Sequence, residues 1–251
     1  MNIQRRTVLG AALLLSIGGA AQAFSSFTGA KLVEGDGRPS SQTRSVDGAV
    51  AVDLRGSFDL TVQQGSRDHL ELRADANVLP YIDTRLTRSS SGVLTLIIET
   101  KPSYRLQYKQ RPQITLELRQ IQALALSGSG SITLGQLQAQ GLDLSVAGSG
   151  RLRLNKLKLQ KLDLSVAGSG DVHAQGVAQS VSVSVAGSGD ADLRALLAQA
   201  ADISIAGSGR VYINAQQDLS VSIAGSGDVN YVGQPRLDVS QSGSGRVRPL
   251  K

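Results

Sequence analysis

The triplet Gly-Ser-Gly recurs with its first glycine at positions 128, 148, 168, 187, 207, 225 and 243, at intervals of 20, 20, 19, 20, 18 and 18 residues. A fixed period near 20 marks a solenoid, in which each repeat buries its apolar face only by stacking on its neighbours. Strict alternation leads into each triplet. Leu142, Leu144 and Val146 alternate with Asp143, Ser145 and Ala147, and the same pattern returns at Leu162, Leu164 and Val166. Period two is a strand with one buried face. Alternation resumes after the triplet, at Leu152 and Leu154, Val172 and Ala174, Val211 and Ile213. Each unit therefore reads as strand, bend, strand and looser bend. This predicts an all-β fold, a right-handed parallel β-helix with coils of about 19 residues stacked ~4.8 Å apart.

Aligned columns carry the expectation further. Three positions before the triplet stand Ser145, Ser165, Ser184, Ser204, Ser222 and Ser240, a ladder of small hydroxyls. Two positions before it stand Val146, Val166, Val185, Ile205 and Ile223, an interior row whose β-branched side chains pack well on a pleat. Immediately after it come Arg151, Asp171, Asp190, Arg210, Asp228 and Arg246. Four of the five contacts in that column would pair opposite charges, each weak when exposed but together opposed to a slip of one coil. Gln241 enters the aliphatic row and Arg246, Arg248 and Lys251 follow, which predicts a polar termination.

Residues 1–23 carry Arg5 and Arg6, an apolar stretch and a small-x-small site at Ala21-Gln22-Ala23. This reads as a secretory signal peptide, and the paired arginines fit a twin-arginine leader. The protein is expected in the periplasm or outside the cell, with no integral membrane segment after cleavage. Removing the two leader arginines reduces the formal charge of +6 to +4, too mild to indicate nucleic acid. Residues 24–120 form a β-rich half, either a cap or divergent coils, with strand candidates at 46–54, 58–62, 70–73, 93–99 and 114–119. Residues 121–251 form the seven-coil repeat region. The composition agrees, with 28 Gly, three Phe, five Tyr, one Met and no Cys. Narrow coils filled by aliphatic rows leave little room for aromatic rings, and thiolate metal sites and disulfides are excluded.

The run Val52-Asp53-Leu54-Arg55-Gly56-Ser57-Phe58-Asp59-Leu60-Thr61-Val62, then Asn77-Val78-Leu79 and Gly92-Val93-Leu94-Thr95-Leu96, followed by repeated Ser-Val-Ala-Gly-Ser-Gly-Asp, resembles the bacterial family described as putative auto-transporter adhesin, head GIN domain. The resemblance implies a β-helical fold, a place in the cell envelope and an adhesin-like role. It carries no catalytic residue across, and no translocating barrel is expected after the repeats.

Material for chemistry is sparse. His69 and His173 are the only histidines and read as surface residues; with no Cys beside them they make no multi-ligand metal site. Asp143 and Asp163 would be rung neighbours that repel unless solvated or bridged by calcium, but the nine-residue calcium-binding β-roll period is absent. The recurring Gly-Ser-Gly lacks the lysine and helix of a phosphate loop. No cofactor or metal is expected. The best local candidate is the segment 101–112, a basic hairpin in which Lys101, Tyr104, Arg105, Tyr108, Lys109 and Arg111 would form an anionic-ligand patch. The flat Ser- and Asp-bearing faces are the other surface on offer. The reading is a non-enzymatic envelope binding or structural module whose partner is an envelope glycan or another protein, with homo-oligomers allowed. Two alternatives stand beside it: a polysaccharide lyase or hydrolase built on the β-helix, and a self-assembling envelope protein.

Overall fold

The computed structural model describes residues 29–250, so the expected signal peptide, residues 1–23, lies outside the described residues. The chain is a β-solenoid whose parallel ladders run without interruption across residue 120. Its first nine strands are β1 (Lys31–Glu34), β2 (Pro39–Arg44), β3 (Ala51–Gly56), β4 (Asp59–Gln64), β5 (His69–Asp75), β6 (Ile82–Arg88), β7 (Leu94–Thr100), β8 (Tyr104–Gln107) and β9 (Gln113–Leu118). The repeats supply β10 (Ala123–Gly128), β11 (Ser131–Leu134), β12 (Leu137–Gly148), β13 (Arg151–Gly168), β14 (Asp171–Gly187), β15 (Asp190–Gly207), β16 (Arg210–Gly225), β17 (Asp228–Val232), β18 (Arg236–Gly243) and β19 (Arg246–Pro249).

Pairing follows the predicted columns. Ser145, Ser165, Ser184, Ser204, Ser222 and Ser240 are successive rung partners, as are Val146, Val166, Val185, Ile205 and Ile223. The aliphatic row is buried throughout and extends down through Leu126 to Leu54. In the charged column only two of the four opposite-sign contacts close within 4 Å, Arg151–Asp171 at 3.6 Å and Arg210–Asp190 at 3.5 Å. Both are half-exposed, so register rests on the buried rows more than on these pairs.

Changes in coil length are absorbed in the looser bends. Between β13 and β14 the register shifts from Leu154 to Leu157, which shortens the next interval to 19 residues, and further shifts lie at His173/Gln175 and Leu193/Leu197. The triplet corners never shift, because each is locked to the one beneath: Ser169 N–H donates to Gly148 O at 2.8 Å and Asp171 N–H to Gly150 O at 3.0 Å.

The N-terminal half is built out of chain order. The coil of β3 and β4 is laid down first and lies under β10 and β11. The chain then returns beneath it, with β7 parallel to β3 and β9 parallel to β4, before crossing to start the repeats. The outermost strands are antiparallel: β6 on β7, β5 on β9 and β2 on β5. Four of these strands, β1, β2, β6 and β8, have no counterpart among the sequence candidates. The segment 77–82 is a single 3-10 turn, Leu79–Tyr81, that buries Val78, Leu79 and Ile82.

Asp68 ties three parts of this half together. Its carboxylate accepts N–H bonds from Gly48 and Arg119, both 2.9 Å, and the Arg119 guanidinium at 2.7 Å, with the side chain only 3% exposed. The Arg119 side chain first, and then the two backbone N–H groups, hold its pKa far below the usual carboxylate range. A depressed folded value stabilises fully above about pH 4, the unfolded aspartate value, and the contribution is lost as pH falls towards the folded value. Asp68→Asn is therefore expected to lower the urea midpoint at pH 7, and the gap from the parent is expected to narrow at pH 3.

Candidate functional site

The basic segment is not a hairpin. It fills the place where every other coil has a corner: β7 ends at Thr100, and β9 re-enters the ladder at Gln113 beneath Asp59. Between them the chain leaves the solenoid, and β8 pairs in parallel with β1, register Lys31 with Tyr104 through Glu34 with Gln107. This two-stranded sheet is separate from the main one.

The excursion is fastened at several points. Tyr108 Oη lies 2.5 Å from Ser57 Oγ and donates to Ser57 O at 3.1 Å. The buried carboxylate of Asp75 accepts the Lys109 N–H at 3.1 Å. Asn77 accepts the Asp36 N–H and donates to Glu34 O, which holds β1 from the far side. Lys101 N–H donates to Tyr81 O, and the Tyr81 and Tyr104 rings pack 4.5 Å apart at a tilt of 47°. The sequence offered Tyr104 and Tyr108 as ligand-stacking groups, but the structure uses both as anchors.

The cations are placed otherwise. Alternation along β8 turns Tyr104 and Leu106 inward and leaves Arg105 exposed, and Lys101, Lys109 and Arg111 are exposed as well. Among the described residues Lys101, Arg105 and Lys109 make no ion pair, whereas Arg111 reaches Asp59 at 3.3 Å. Lys31, opposite Tyr104, adds a fifth positive charge. Arg105 and Lys109 lie within about 13 Å of one another along the chain.

Beside this excursion an ion chain crosses three strands: Asp53 to Arg55 at 2.7 Å, Arg55 to Glu99 at 3.2 Å, Glu99 to Arg85 at 2.5 Å and Arg85 to Asp83 at 2.8 Å. The hydrogen bond from Arg55 to Asp53 does most to raise the arginine's pKa. Three carboxylates share two guanidiniums, a net charge of −1, and the chain stitches β3, β7 and β6 together.

On the solenoid itself a groove of about 560 Å³ lies at the register shifts, lined by Arg153, Asn155, His173, Gln175, Asp192 and Arg194 among others. Arg194 grips Asp192 at 2.6 Å and lies over the Tyr212 ring, 4.9 Å from its centroid. That hydrogen bond is the main reason the Asp192 pKa is lowered. His173 is the rung neighbour of Asp192, with Nδ1 3.9 Å from Oδ2. Sequence reasoning missed this groove. The unequal intervals were its only signal, and they do not say where a coil bulges. His69 lies instead in β5, opposite Glu117.

Asp143 and Asp163 are rung partners, and Lys161 bonds Asp163 at 2.7 Å. Burial, and then the Asp163 charge, raise the Asp143 pKa. The lysine answers the repulsion that a cation would otherwise have to bridge. No group of three or more His, Asp or Glu suited to a metal ion occurs among the described residues, nor does any helix long and apolar enough to cross a membrane.

Solved structures share this architecture. A putative adhesin from Bacteroides fragilis superposes with a TM-score of 0.76 at 20% identity, covering 87% of this chain and 100% of that one. A putative adhesin from Parabacteroides merdae gives 0.64 at 22% identity over 88% and 100%. A protein from Parabacteroides distasonis described as a putative lipid binding protein gives 0.70 at 26% identity, again over 88% and 100%. No curated protein matches the sequence. The profile of one family matches residues 50–235, from β3 almost to the last coil, and the chain belongs to that family, described as putative auto-transporter adhesin, head GIN domain.

Proposed function

We propose that the protein is an exported, non-enzymatic binding module of the cell envelope, adhesin-like, and that it holds an anionic glycan on Lys101, Arg105, Lys109 and Arg111. One observation carries the reading: a segment that leaves the solenoid in place of a corner is fastened by Tyr108, Asp75, Asn77 and β1, yet three of its cations face solvent with no ion-pair partner among the described residues. A pre-ordered cluster of like charge loses little freedom when a polyanion binds, and it attracts one over a Debye length of ~8–10 Å. The family's adhesin description supports a binding role. Polysaccharide cleavage has less support, because of the paired carboxylates Asp143 and Asp163 one is bonded by Lys161, and Asp192 is held by Arg194.

The test is a titration with polygalacturonate at low salt. The parent is expected to bind, and the variant with all four cations changed to Gln is expected to bind at least about tenfold more weakly, the ~1.4 kcal/mol of a few exposed charge contacts. A control in which Arg153, Lys156, Lys158 and Arg248 are changed to Gln matches the loss of charge on other faces and is expected to keep most of the affinity. Equal losses in the two variants, or none in the first, would contradict the proposal.

A further inference from the structure

The two ends of the solenoid are finished differently. At the N-terminal end β6 and β5 cover β7 and β9 in antiparallel pairing, with β2 outside β5. At the other end β18 and β19 are the outermost rungs and pair, among the described residues, only on their inner side. Leu237 and Val239 continue the core columns of the buried Leu219 and Val221, yet they are 45% and 40% exposed. Among the described residues the expected polar termination is therefore incomplete. Gln241 donates to Gly245 O at 2.7 Å and closes only its own corner. An open strand edge beside exposed core side chains is a template for another strand.

We propose that this end docks on the same end of a second copy, with β18 antiparallel to its mate about a two-fold axis through Leu237. A two-fold contact needs a patch that complements itself. In an antiparallel pair opposed residues face the same side, so inward side chains meet inward ones only in alternate registers. An axis through Arg236 or Asp238 sets like charges directly together, and one through Val239 sets Leu237 against Gln241. The axis through Leu237 alone packs Leu237 on its mate and pairs Arg236 with Asp238 of the second copy, twice. Arg236 has an 86% exposed side chain and among the described residues is held only by the exposed Asp218, so it is free to turn to a new partner. The opposite end presents polar β2 and arginine-bearing β6, which do not complement this apolar edge.

A single coil's cross-section buries an area at the low end of specific interfaces, under about 1,200 Å², so the association is reversible and on the order of micromolar. The surface is distinct from the basic excursion, and the inference stands whether or not a glycan binds there. Sedimentation velocity on the whole protein, from about 1 to 200 μM, is expected to show a monomer passing to a dimer. Leu237→Asp is expected to leave a monomer throughout with an unchanged circular dichroism spectrum. Arg236→Asp and Asp238→Arg are each expected to weaken the dimer about tenfold, and the double variant R236D/D238R to restore it, since the exchanged charges pair again in this register. The inference is overturned by a monomer at the highest concentration, by a dimer indifferent to Leu237→Asp, by open-ended polymers, or by a double variant as weak as the singles.

Discussion

Gly168→Ala is expected to destabilise the protein by about 2–4 kcal/mol, read as a fall in the urea midpoint. Two costs add. Gly168 sits at φ +115°, a conformation that an L side chain enters only with strain, and a Cβ built there lies 2.6 Å from the carbonyl oxygen of Gly148 in the coil beneath. That oxygen cannot retreat, because it accepts the Ser169 N–H and belongs to a corner stacked in turn on Gly128. The second glycine of the triplet has a different reason. At Gly170 a Cβ would stand 2.6 Å from Cγ1 of Val146, the member of the aliphatic row one coil beneath, so the row and the glycine occupy complementary space. Gly141→Ala is the control. Its nearest neighbour would be Lys161 O at 3.9 Å, with no unusual φ, and the change is expected to stay within about 0.5 kcal/mol of the parent. Similar losses at positions 141 and 168 would mean that the corners are not close-packed.

Phe58→Gly is expected to cost about 4 kcal/mol, although it writes an eighth Gly-Ser-Gly into the chain. Gly56-Ser57-Phe58 occupies the triplet's place in the coil of β3 and β4: Gly56 is the rung partner of Gly128, and Gly130 N–H donates to Gly56 O at 2.9 Å. Beneath it there is no triplet, since the chain departs at Thr100 on the basic excursion and returns only at Gln113. The Phe58 ring, 1% exposed, fills the corner that a further turn would have filled, and glycine would leave a cavity there. Phe58→Leu keeps most of the volume and is expected to lose less than half as much. If the glycine variant were as stable as the parent, the first coil would be an ordinary repeat and the excursion would not depend on the aromatic beneath its anchor at Ser57.

These two residues also show what the sequence could and could not disclose. In the repeats a single period sets every rung, so the serine ladder and the aliphatic row could be aligned by counting back from each triplet. Phe58 breaks that count, and its reason lies in residues 100–113, which the period does not mark. The order of the first coils was equally hidden. Whether β7 slides beneath β3 is decided by contacts between segments some 40 residues apart, and alternation gives a strand its faces but not its neighbours. The cations of the candidate site were visible as composition. The roles of Tyr104 and Tyr108 were not, because an amphipathic ring suits a ligand and an anchor equally well and only the partners, Tyr81 and Ser57, distinguish the two.

Amide hydrogen exchange with and without saturating polygalacturonate tests most directly whether ligand is held at the excursion and not along the solenoid. Slowed exchange is expected in residues 29–37 and 100–112, with the ladders from 140 to 245 unchanged. Protection spread along the Ser- and Asp-bearing faces, or none anywhere at saturation, would contradict the account.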